Sequence, residues 1–246
     1  VGIALGGGGS RGFAHLGVIK ALAEKGIQPE VFAGTSSGAI VGALLAAGKS
    51  ADEIFAMMKQ SKITDYINIK VPNNGFLALD QLKEQLDVFL DGASFAQLPW
   101  PLFVTVANLL TGEAEYLAKG NVATAVQASA SIPVLFSPVT INDQLFVDGG
   151  LLDNVPVKPL IGQCEKVIAV DVLPVEKVKA VNGMQEIIAR TFQMSVGCFL
   201  AERQKQCSLI IRLEELAGYN IFDTEKAEEM FEIGYCHVKK LDFSSF

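Results

Sequence analysis

The stretch Val31 to Gly48, VFAGTSSGAIVGALLAAG, runs for 18 residues without a charged side chain. That is close to the length of a membrane-spanning helix, but Gly34, Thr35, Ser36, Ser37 and Gly38 crowd its first third and suit a turn better than a continuous apolar helix. It reads instead as a short buried strand (Val31 to Ala33), a sharp turn (Gly34 to Gly38) and a helix (Ala39 to Ala47) stopped by Gly48. A helix that is apolar all round is one surrounded by protein.

Working outward, the same grammar repeats upstream. Val1 to Leu5 is a short apolar run that stops at four consecutive glycines, and Phe13 to Lys25 then reads as a helix ended by Gly26. Downstream, Ser50 with Glu53 three residues later is a capping box for a helix reaching about Gln60, and Asp80 is placed to cap another through Leu90. Between them, Ser61 to Leu79 is polar and irregular, the character of a lid or binding loop. Leu102 to Leu110 with Glu115 to Leu117, and Val139 to Ile141 with Leu145 to Val147, read as hairpins around Thr111-Gly112 and Asn142-Asp143. Lys166 to Val172 is a buried-type strand, Gly183 to Gln206 a helix and Leu209 to Leu213 a strand. In a last helix beginning near Asp223, the stripe Ala227, Met230, Phe231, Gly234, Val238 and Leu241 faces the core. These elements make one three-layer α/β/α domain over residues 1–246 with a mostly parallel central sheet.

Composition narrows the function classes. Half of the 246 residues are apolar and 19% are charged, which excludes disorder. Twenty basic against 27 acidic residues give a net charge of −7, and no Lys/Arg run could neutralise successive phosphates, so nucleic acid is not an expected partner. Cys164, Cys198, Cys207 and Cys236 show no CxxC spacing, so neither a metal site nor a disulfide scaffold is expected. With no signal peptide visible, the cytoplasm is the expected compartment.

Two turns carry chemistry. Gly6 to Gly12, GGGGSRG, contains GxGxxG at Gly7, Gly9 and Gly12 between a strand and a helix, the context of a dinucleotide site. The acidic residue such a site needs at the end of the second strand is missing, since Glu30 precedes that strand; a P-loop lacks its GK[ST]. What survives is general: glycines admit a ligand close to the backbone, and unpaired N–H groups at a helix start attract an anion, including the transient oxyanion of acyl transfer. The second turn, Gly34-Thr35-Ser36-Ser37-Gly38, is GxSxG between strand and helix, as a nucleophile elbow requires. Ser36 is then the nucleophile, with Ser37 supplying a backbone N–H.

A serine needs a base. The chain has two histidines; His237 lies in the terminal helix and His15 in the helix after the glycine loop, where a structural role fits better. A carboxylate can serve if its position compensates for weak basicity. Asp148, between the strand Leu145 to Val147 and Gly149-Gly150, is favoured; Asp171 and Asp153 compete with it.

Taken together, GGGGSRG (Gly6 to Gly12), GTSSG (Gly34 to Gly38), ASASIPVLFSPV (Ala128 to Val139) and DGGLLDNVP (Asp148 to Pro156) resemble the blocks of the patatin-like acyl hydrolases, in the same order and over roughly the first two thirds of the chain. The resemblance implies a Ser–Asp dyad of Ser36 and Asp148, an oxyanion hole from the amides of Gly7, Gly8 and Gly9, and a lipid esterase of the phospholipase A or lysophospholipase type without metal or cofactor. It also implies an acyl lipid as substrate, met by transient contact with a membrane surface, and a third block that packs near the dyad, with Pro133 ending a helix. Family members often carry Ala where this chain has Ser37, an exchange of small residues. Arg11 would fix the loop or meet a phosphate group. An acyltransferase using the same nucleophile, and a non-catalytic nucleotide- or lipid-binding module, are the alternative functions.

Overall fold

The computed structural model describes residues 1–60, 79–175, 177, 180–181, 183–196, 206–243 and 246. Five parallel strands form its spine: β1 (Gly2–Leu5), β2 (Val31–Gly34), β3 (Leu102–Asn108), β7 (Val167–Asp171) and β8 (Leu209–Arg212). Between β3 and β7 the chain adds β4 (Ala114–Leu117), β5 (Val139–Ile141) and β6 (Gln144–Asp148), giving one eight-stranded sheet in the order β5-β6-β3-β2-β1-β7-β8, with β4 also paired to β3. The antiparallel pairings are confined to the β3–β4, β3–β6 and β5–β6 neighbours, so the sheet is mostly parallel as expected.

The α-helices among the described residues are α1 (Phe13–Glu24), α2 (Ser37–Ala46), α3 (Ala51–Gln60), α4 (Asp80–Phe89), α5 (Val122–Ala130), α6 (Gly183–Val196) and α7 (Ala227–Lys240). Strand alternation divides the core between the two faces. Ile3, Leu5, Phe32, Val104, Ile168 and Val170 pack against α1, α2, α5 and α7, while Ala4, Ala33 and Ala169 meet Val155, Val157 and Leu160 on the other side. Small side chains on that second face let an irregular segment lie close to the sheet.

The uncharged stretch Val31 to Gly48 resolves into β2, one intervening turn and the ten-residue α2, almost all of it buried. Among the described residues no helix is long and apolar enough to cross a membrane. The Ser50–Glu53 capping box forms, with the Ser50 N–H donating to the Glu53 carboxylate at 2.8 Å. Both hairpins form, and Asn142 and Asp143 adopt φ of 48° and 60°, as a two-residue turn matching strand twist demands.

Two helix starts differ from expectation. Asp80 lies in the first turn of α4 rather than capping it; Leu79 holds the cap position, and the Asp80 carboxylate instead accepts from Gln127 Nε2 at 3.0 Å, tying α4 to α5. The last helix begins at Ala227, because the Asn220 and Asp223 side chains accept the N–H groups of Phe222 and Glu225 two residues on and hold that segment in turns. Of the expected lid, Ser61 to Leu79, only Leu79 lies among the described residues, and the part of the expected 183–206 helix at 197–205 lies outside them too.

Helices α1 and α7 cross closely through glycines. A Cβ on Gly17 would run into the Phe231 carbonyl, and one on Gly234 into that of Ala14. The obstacles are backbone atoms on rigid helices, which cannot swing aside. Gly17→Ala is therefore expected to destabilise the protein by about 1–3 kcal/mol through overpacking, visible as a lower melting temperature in a calorimetric scan. Gly26→Ala, at the open end of α1 with φ 78°, should cost less because only its backbone conformation resists.

Candidate functional site

The parallel register delivers the two glycine turns side by side. Leu5 pairs with Gly34, so β1 and β2 leave the sheet at one level, the first into the glycine loop and the second into the elbow. On the next strand, Val106 of β3 pairs with Asp148 at the end of β6. The end of β1 borders the point where the chain reverses direction across the sheet, between β1 and β7, the usual place for a ligand crevice in such sheets.

At the elbow a single residue separates β2–Thr35 from α2, and Ser36 makes the reversal with φ 53° and ψ −123°, strained for a residue with a side chain. The neighbours must be bare: a Cβ on Gly34 would strike the Gly38 carbonyl, and one on Gly38 the Leu5 carbonyl. Hydrogen bonds brace the turn. The Gly38 N–H donates to Thr35 O at 2.8 Å, Thr35 Oγ1 donates to Asp153 O at 3.0 Å, and the Ser36 N–H donates to Ser129 Oγ at 2.9 Å. Ser36 is left 8% exposed, on the wall of a cavity.

Asp148 is fully buried beside it. Its N–H donates to Ser131 O at 2.8 Å, and its Oδ1 accepts from the Gly150 N–H at 2.8 Å. Among the described residues Oδ2 finds no hydrogen bond of good geometry. The Ser36 hydroxyl nevertheless lies near enough to favour the ionised carboxylate. Burial outweighs that help and the Gly150 N–H, pushing the Asp148 pKa up to about 7.

The glycine loop is held by Asn154. The Gly7 N–H donates to Asn154 Oδ1 at 3.1 Å and lies 3.3 Å from Asn154 O, while Asn154 Nδ2 donates to Gly7 O at 3.1 Å. A Cβ on Gly7 would sit 2.6 Å from Asn154 Oδ1 and 3.0 Å from the Ser36 Cβ, so glycine is what lets the loop touch both. Of the three expected hole amides, that of Gly7 is thus already engaged. Those of Gly8 and Gly9, and of Ser37 at the start of α2, donate to no protein acceptor among the described residues.

The remaining candidates have other work. Arg11 is 4% exposed and donates to Tyr219 O (2.7 Å from Nη2, 3.0 Å from Nε) and Ala217 O, fastening the loop to the C-terminal segment. His15 is fully buried below the loop with Nε2 2.7 Å from Gly6 O, and burial lowers its pKa to about 4, so it stands there neutral, donating to that carbonyl. His237 faces Glu215 on the surface. The Asp153 carboxylate accepts from the Tyr116 hydroxyl at 2.6 Å, and that of Asp171 from the Leu173 N–H at 3.0 Å, with Arg212 3.3 Å away.

Ser129 and Asn154 escaped the reading of the sequence as individual residues. A signal existed for each: Ser129 is a hydroxyl in an otherwise alanine-rich buried turn, and Asn154 is an amide inside the DGGLLDNVP block. Their partners, however, lie 93 and 147 positions away.

From Ser36 a cavity of about 150 Å³ runs between α2 and α4, walled by Phe13, Ile40, Leu44, Leu82, Leu86 and Phe89, and closed on another side by Ile132 and Phe136. Such a lining accepts hydrocarbon and offers little to a polar group.

Residues 3–161 match the family model described as Patatin-like phospholipase. An uncharacterised NTE family protein of Mycobacterium tuberculosis (strain ATCC 25618 / H37Rv) is 34% identical over 165 residues, covering 66% of this chain and 46% of that protein. Lysophospholipase NTE1 of Kluyveromyces lactis is 27% identical over 276 residues, covering 96% of this chain and 19% of that protein. In three dimensions the chain resembles VipD from Legionella pneumophila, with a TM-score of 0.64 at 17% identity over 96% of this chain and 65% of that one. The chain spans less than half the length of these two sequence relatives.

The burial of Asp148 has a measurable cost. Its folded pKa lies above the unfolded value, so protonation favours the fold below about pH 4, and that contribution is lost as pH rises through about 7. Asp148→Asn keeps the acceptor for the Gly150 N–H and removes the charge. It is expected to melt several degrees higher than wild type at pH 8, by a margin that shrinks towards zero near pH 4 in thermal scans.

Proposed function

Because the chain belongs to the patatin-like phospholipase family, we propose that it is a serine acyl hydrolase cleaving the carboxylic ester of an acyl lipid through Ser36 and Asp148. One observation carries the reading: a strained, nearly buried serine shares its surroundings with an otherwise unoccupied carboxylate oxygen and opens directly on an apolar cavity.

With an acyl chain in the cavity, the ester carbonyl meets Ser36. Oγ attacks the carbonyl carbon while its proton passes to Asp148 Oδ2, forming a tetrahedral oxyanion. The amides of Gly8, Gly9 and Ser37 are the donors free to receive it, and one such donor is typically worth about 2.7–4 kcal/mol to the transition state. Collapse expels the alcohol, which takes the proton from Asp148. Water then attacks the acyl-serine, giving its proton to Asp148; the second intermediate releases the fatty acid, and Asp148 returns the proton to Ser36 Oγ. An apolar burial site suits the carboxylate to this work, since a pKa near 7 makes it a far better base than an exposed aspartate.

Labelling with a fluorophosphonate and intact-mass analysis tests the assignment. Wild type should gain one adduct, and Ser36→Ala none. Turnover of a p-nitrophenyl acyl ester should fall by about 10³-fold or more in Ser36→Ala and Asp148→Asn. Adducts of equal yield in all three proteins would overturn the mechanism. Because Asp148 must be ionised to accept the proton, kcat/KM should climb with pH to a plateau above about 7. Product analysis with added alcohols separates hydrolysis from acyl transfer, and free fatty acid should remain the main product.

A further inference from the structure

The last turn of α5 touches both halves of the site. Ser129, fully buried, accepts the Ser36 N–H on its Oγ at 2.9 Å and donates the same hydroxyl to Thr105 O at 2.6 Å. Two residues on, Ser131 O accepts the Asp148 N–H at 2.8 Å. Thr105 belongs to β3, whose next residue, Val106, pairs with Asp148. The Thr105 carbonyl is also the group that a Cβ on Gly149 would strike, so it limits where the peptide after Asp148 can lie.

If Ser36 and Asp148 form the dyad proposed above, their separation is set from this one turn of helix. We propose that Ser129 is a positioning residue that holds the strained Ser36 elbow at a fixed distance from Asp148, its hydroxyl bridging the Ser36 N–H to the β3 carbonyl beside Asp148. Among the described residues Ser129 is the only hydrogen-bond partner of the Ser36 N–H, and a backbone at φ 53° relaxes when its restraints are removed. Alanine at 129 would leave that N–H and the Thr105 carbonyl both without the bridging hydroxyl in a dry interior, favouring a shift of the elbow. Displacement of a nucleophile by about 1 Å can lower a rate by about 10²-fold.

The decisive comparison is Ser129→Ala against Ala123→Gly, a buried substitution in the first turn of the same helix that destabilises without touching the site. At temperatures where both are folded by circular dichroism, Ser129→Ala should lose about 10- to 100-fold in kcat on a p-nitrophenyl ester with KM unchanged, and fluorophosphonate labelling of Ser36 should slow in parallel. Ala123→Gly should keep wild-type kcat. Ser129→Thr, retaining the hydroxyl, should recover most of the loss; should its methyl prevent folding, Ser129→Cys takes its place as a weaker donor. Equal kcat in Ser129→Ala and Ala123→Gly, or a loss that falls on KM alone, would overturn the role of Ser129. Wild-type turnover in Ser36→Ala would instead overturn the dyad, so the two failures are told apart.

Discussion

Everything in this site hangs on one backbone reversal. A chain leaving β2 must turn into α2 within two residues, and the only way to do so is to place Ser36 in a conformation that side chains resist. The turn closes because Gly34 and Gly38 have no Cβ and because the Leu5 carbonyl occupies the space one would need. Strand β1 is therefore part of the elbow, and the glycine loop that follows β1 arrives within van der Waals distance of Ser36 as a consequence of the same packing. Strain at Ser36 is offset by a hydrogen bond within the turn, from the Gly38 N–H to Thr35 O, and by bonds to two other segments, at Asp153 and Ser129.

Around that turn the protein places groups that a stability-optimised fold would avoid. A fully buried carboxylate with one oxygen left without a hydrogen bond among the described residues is unfavourable in the resting molecule, and the amides of Gly8, Gly9 and Ser37 find no protein acceptor there. In the proposed reaction each would gain a partner: a proton for the carboxylate, a negative oxygen for the amides. The surroundings compensate elsewhere, with Asn154 saturating both polar groups of Gly7 and His15 and Arg11 fastening the loop from behind and from the C-terminal segment. Neutral His15 supports the loop without adding a charge there.

Local patterns were largely legible in the chain. The strand–turn–helix units, the capping box at Ser50 and the two hairpins follow from hydrophobic periodicity and turn chemistry acting within a few residues, and the folded protein reproduces them. The misread boundaries have local polar causes that only the fold reveals. Asp80 was free to cap its helix until Gln127 offered a partner from α5, and the side chains of Asn220 and Asp223 competed with the helix for backbone N–H groups.

By itself the sequence determined that Ser36 sits in a sharp, glycine-flanked turn, that a second glycine turn precedes α1, and that Asp148 ends a strand, because bare glycines and apolar runs leave the backbone few alternatives. Which groups then met was decided by tertiary structure. Parallel register brought Leu5 level with Gly34, and β3 carried Val106 to Asp148. Long-range contacts engaged the Gly7 amide with Asn154, assigned Asp153 to Tyr116 and Asp171 to Arg212, and set Ser129 between Ser36 and the sheet. The division is physical: backbone sterics act between neighbours in the chain, whereas hydrogen bonding and desolvation depend on whatever the fold places nearby, from any distance in sequence.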